Sequence, residues 1–136
     1  MAGEDDASGD ALRTAASHVA ASRTEWTDLK AAALGGELRF EPAAAERCAQ
    51  VCETAVDQIT DQLQTARQLT RVEGFGDTIA GRALADKFAR KGGEAVDVLV
   101  AHRQVLQDMA ATYRAAGRAY TEAEANNAVR LRGTEE

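Results

Sequence analysis

The chain has 136 residues, a net charge of -6 and a pI near 5.0. No cluster of lysine or arginine resembles a phosphate-binding face, which excludes nucleic acid as the expected partner. No apolar run approaches the ~20 residues that cross a bilayer. The acidic N-terminus has no apolar stretch of the kind a conventional secretory signal carries. Of the 45% hydrophobic residues, about half are alanine (30 in all), and aromatics are only 4%. Alanine favours helix but buries little apolar area. The expected core is therefore thin, the kind a helical partner or a second copy completes.

Residues 1–7 are expected to be disordered. A first helix is expected over about 8–34, capped by Ser8 or Asp10 and ended by Gly35-Gly36. Leu12, Ala15, Val19, Ser22, Trp26, Leu29 and Ala33 recur along it at spacings of three and four, one narrow stripe. Trp26 on that stripe is read as a core anchor. "ELRFEP" is an extended link in which Pro42 suits a first helical turn. A second helix is expected over about 42–72, with Ala45, Cys48, Cys52, Ala55, Ile59, Gln62 or Leu63, Ala66 and Leu69 as its stripe.

"EGFGD" marks the hairpin turn. Gly74 and Gly76 take backbone angles other residues avoid, and Phe75 between them plugs the adjoining core. A short helix over about 78–91 follows, with Ala80, Leu84 and Phe88 four apart. Gly92-Gly93 is a loop or a kink, because two glycines inside a helix cost about 2 kcal/mol against alanine. A last helix is expected over about 94–128. Leu99, His102, Leu106, Met109, Tyr113, Ala116, Tyr120 and Ala123 form its stripe. The pattern predicts an all-α, three- to four-helix bundle: one helical domain over 8–128 built on an antiparallel hairpin, with a flexible tail at 129–136.

Catalytic chemistry is not expected. Cys48 and Cys52 lie four apart on one helix, too wide for a disulfide, and His18 and His102 sit on other helices, so a four-ligand zinc site is not assembled. Both cysteines and His102 are read as stripe residues of the core or seam. No nucleophile motif or phosphate loop is present. The expected protein is not an enzyme and needs no metal or cofactor.

The order "RFEPAAAERCAQVCE", a helix, "VEGFGDTIAGRALADKFARKGGEAVDVL", and a helix with "AHRQVLQDMAATYRAAGRAYTEAEANN" resembles the small helical-hairpin proteins of actinobacterial type VII (ESX) secretion, related to the WXG-type family. The resemblance covers about residues 38–128. It implies a hairpin paired with itself or a related chain, as homodimer or heterodimer. It implies a C-terminal export signal of the form Y-x-x-x-[DE], which Tyr120 and Glu124 match. Gly74-Phe75-Gly76 stands at the W-x-G turn, with Phe75 in place of the aromatic and Gly76 departing from the spacing. The implied function is a non-enzymatic secretion substrate or associated protein, cytoplasmic before export and afterwards secreted or in the cell envelope. Its partners would be another helical protein and the secretion machinery. The alternative is a cytoplasmic helical adaptor or chaperone-like partner.

Overall fold

A computed structural model describes the backbone of residues 2–135 and the side chains of residues 9–134. Three helices pack against one another in an all-α bundle: α1 (Ala2–Leu34), α2 (Pro42–Gln68) and α3 (Ile79–Glu135).

The helix ends follow local chemistry. At the end of α1, Gly36 takes φ 81°. Its N–H donates to the Ala33 carbonyl at 3.1 Å, and the Glu37 N–H donates to Ala32 at 2.9 Å. This crossed pair is a Schellman stop, which needs a left-handed residue at its centre. Glu41 then caps α2. Its carboxylate accepts from the N–H groups of Ala43 (3.0 Å) and Ala44 (2.8 Å), with Pro42 in the first turn. Those two bonds, that to Ala44 first, hold the Glu41 carboxyl below its ordinary range. At the start of α3 the Thr78 hydroxyl accepts from the Gly81 N–H at 3.0 Å, again a cap.

The expected boundaries change in three places. α1 opens at Ala2, so residues 2–7 are helical rather than disordered. α2 closes at Gln68, earlier than 72, because the N–H groups of Leu69, Thr70 and Arg71 turn back to carbonyls three residues earlier. The short helix and the last helix are one helix. α3 runs through Gly92-Gly93, through Asn126 and Asn127, and over the expected tail to Glu135. Gly92-Gly93 is neither loop nor break, for the packing reason given below.

The chain divides into two compact units: residues 1–21 with 57–104, and residues 22–56 with 105–136. In the second unit α2 and α3 run antiparallel: Ala45 lies against Gly117, and Ala49 and Cys52 against Ala110. Small residues make this close approach. A Cβ on Gly117 would stand 3.2 Å from that of Ala45. Ala33, Ala115 and Ala116 form a second small cluster, covered by Leu38. Tyr113, which packs on the Ala49, Cys52 and Ala110 cluster, meets Trp26 and Phe40 with ring centroids 5.6 and 5.7 Å apart. Trp26 thus packs on Tyr113.

In the first unit α2 and α3 are again antiparallel. Arg103 donates to the Thr60 hydroxyl at 3.4 Å, and Gly92 lies against Leu69. Ile59, Leu63 and Ala66 are its buried α2 residues. A Cβ on Gly92 would stand 2.7 Å from the Leu69 carbonyl oxygen. The helix accepts glycine here because a larger residue would push the neighbouring chain away.

Across both units the buried set is mostly alanine, and the largest fully buried side chains are Leu63 and Thr112. The thin core is as composition predicts. Its position is not. The buried line of α2 is Ala45, Ala49, Cys52, Ile59, Leu63 and Ala66, which leaves Cys48 exposed, against expectation, and Leu69 too. On α3 the buried residues include Val105, Ala110, Thr112, Ala115, Ala116 and Ala119, while His102 is exposed. A strict three-four stripe drifts by ~20° per heptad around a straight helix, so it does not stay inward over eight turns. Close contact also selects the small residues for the centre and leaves Leu106, Met109 and Tyr113 at its rim.

Candidate functional site

The candidate export residues lie on α3 in the second unit. Ala115, Ala116, Gly117 and Ala119 are buried against the bundle, which turns the next position outward. Tyr120 is 37% exposed, and Glu124, one turn further, is exposed. Residues four apart share a helix face, so the ring and the carboxylate stand side by side on the surface. Tyr120 is therefore not a buried closing residue of the seam. The helix does not end near Asn126 either, so the pair presents a helix side rather than a fraying end.

Next to this face is an open groove of about 400 Å³, lined among others by Pro42, Ala45, Glu46, Arg114, Gly117 and Thr121. Gly117 forms part of its floor because no side chain fills the space there. Arg114 closes one side. Its Nε and Nη2 donate to the two carboxylate oxygens of Glu46 at 3.2 and 3.0 Å, and its Nη1 donates to Glu53. The bidentate fork fits the planar carboxylate. The bond to Arg114 holds the Glu46 carboxyl below its ordinary range, and the two carboxylates push the guanidinium further up. All three groups are roughly half exposed or somewhat less, so solvent screens the network.

The hairpin turn lies in the first unit. Gly74 and Gly76 take φ 101° and 80°, both left-handed, as their placement on either side of Phe75 predicts. Phe75 does not plug a core. It is 40% exposed and stacks on Phe88, with centroids 5.7 Å apart and planes at 13°. Gly81 supports this turn, since any side chain there would overlap the Phe75 carbonyl. The structure thus places Tyr120 with Glu124 on one face, and Gly74, Phe75 and Gly76 in a different unit.

Sequence reasoning missed the Arg114 clamp, though it left a trace. Glu46 and Glu53 are seven apart on α2, two turns along one face, and a single cation opposite reaches both. Cys52 is buried, and that burial raises its thiol pKa. Among the described residues, no three His, Cys, Asp or Glu side chains gather as a metal site, and no helix is long and apolar enough to cross a membrane.

Comparison of the chain with known protein families, curated proteins and solved structures finds no match.

Proposed function

We propose that the protein is a non-enzymatic type VII secretion substrate or secretion-associated protein that acts through helical protein–protein contacts, with Tyr120 and Glu124 as the residues the export machinery reads. The observation that carries this reading is their joint exposure on one face of α3. Ala115, Ala116, Gly117 and Ala119 before them on the helix are buried, while this pair is turned outward. A receptor that takes the ring into an apolar pocket and sets a cation against the carboxylate reads both at once. The small-residue core supports the contact role, because a bundle built on alanine leaves its larger apolar side chains at the rim and surface.

The test is the partition of the protein between culture supernatant and cell lysate. Tyr120→Ala and Glu124→Ala are each expected to keep it in the cells, with helix content by circular dichroism unchanged. Export that persists undiminished in both variants removes the signal reading, whereas a parent protein found only in the lysate favours the cytoplasmic adaptor.

A further inference from the structure

The last turns of α3 extend past the other elements of their unit. Pro42, the first residue of α2, lies against Gly117, and the Phe40 N–H donates to the Ala116 carbonyl at 3.1 Å. Beyond that level Ala123 is half-buried, and every side chain from Glu124 to Thr134 is exposed, Leu131 at 67%. The helix nevertheless continues through Asn126, Asn127 and Gly133, which are weak helix formers. Tyr120, Ala123, Asn127 and Leu131 follow at spacings of three and four, so they share one face of this overhang.

The order of charges says what covers it. Counted from Asn127, Glu124 and Arg130 stand three positions to either side, and Glu122 and Arg132 five. Arg118 and Glu136 continue the order in sequence at nine. Of the charges in residues 118–136, Glu135 alone has no opposite mate at the mirror position. Among the described residues, none of Glu122, Glu124, Arg130 and Arg132 is ion-paired within the chain.

We propose that two copies of this chain pair antiparallel through the overhang, about a two-fold axis at Asn127. The acidic turn of each copy then lies level with the basic turn of the other, and every contact occurs twice. Packed helices stand about 8–10 Å apart, no more than about one Debye length at 0.1 M salt, so opposite charges at one level attract. A parallel pair sets acid beside acid and base beside base. Asn127 meets its own copy at the axis, where its amide is donor and acceptor at once. A single polar residue of this kind fixes register in a helical seam. An unrelated helix has to supply the same charges in reverse order, which a second copy does by symmetry.

The same face holds Tyr120 and is bordered by Glu124. Where the export reading holds, pairing covers that signal, and a receptor reads the single chain. The pairing is measured without export, and its failure leaves that reading untouched.

Sedimentation velocity of the full chain, from about 0.01 to 1 mM, measures the pairing. The mass is expected to rise toward that of two chains, with a dissociation constant at least about tenfold weaker in about 500 mM NaCl than in about 50 mM. Glu122→Arg with Glu124→Arg, and Arg130→Glu with Arg132→Glu, each lose the pairing alone and regain it when the two variants are mixed in equal amounts. The chain with all four changes pairs with itself again. Circular dichroism checks that each variant keeps its helix content. A parent that stays monomeric at about 1 mM overturns the proposal. So does pairing that survives undiminished in either double variant alone, or a mixture of the two that does not pair.

Discussion

Gly92 and Gly93 are adjacent in one helix, yet alanine at the two positions has opposite expected effects. Helix propensity alone treats them alike: each Gly→Ala stabilises by about 1 kcal/mol. At Gly93 nothing lies within 4 Å of the added Cβ, so the gain is realised. At Gly92 the Cβ meets the Leu69 carbonyl oxygen at 2.7 Å and the carbonyl carbon at 2.9 Å. These are backbone atoms, which do not swing aside as a side-chain tip does. Overpacking of this kind costs about 1–3 kcal/mol. Set against the propensity gain of about 1 kcal/mol, the net for Gly92→Ala is a loss of up to roughly 2 kcal/mol, or up to several degrees in Tm for a chain of this size. Urea and thermal unfolding followed by circular dichroism measure both variants. If Gly92→Ala proves as stable as the parent or more so, the close approach of α3 to Leu69 is not what retains this glycine.

Two further outcomes follow from the titratable groups. The carboxyls of Glu41 and Glu46 are held below their ordinary range, by the Ala44 and Ala43 N–H groups and by Arg114 respectively. A depressed carboxyl adds stability that is complete above its unfolded value and is lost as pH falls through the folded one. Stability is therefore expected to decline on acidification below about pH 4.5, and Glu46→Gln to make that decline shallower; an unchanged acid limb in urea titrations would refute the clamp. Among the thiols, Cys48 is exposed and Cys52 buried, with burial raising the Cys52 pKa. A thiol reagent followed by mass spectrometry should label one cysteine per chain quickly, at Cys48, and the second only in denaturant. Equal rates in the native protein would contradict the packing of Cys52 against Ala49 and Ala110.

The fold class and its punctuation are properties of the sequence by itself. Alanine content and unbroken helical spacing specify an all-α chain, because these preferences act within a few residues. Pro42, with Glu41 before it, specifies where α2 begins, and Gly36, Gly74 and Gly76 specify turns, because backbone conformation there depends on the residue itself. Tyr120 and Glu124 share a face for the same local reason. Tertiary packing decided the rest. Gly92-Gly93 has the local signature of a break, yet the helix is continuous there, and contact with Leu69 explains glycine at position 92. The inward face was also decided between helices: the closest approach selects Ala49 over Cys48 and Ala119 over Tyr120. Which neighbour a side chain meets is a property of two segments at once, as Arg114 with Glu46 and Glu53 shows, and a pattern along one helix does not contain it.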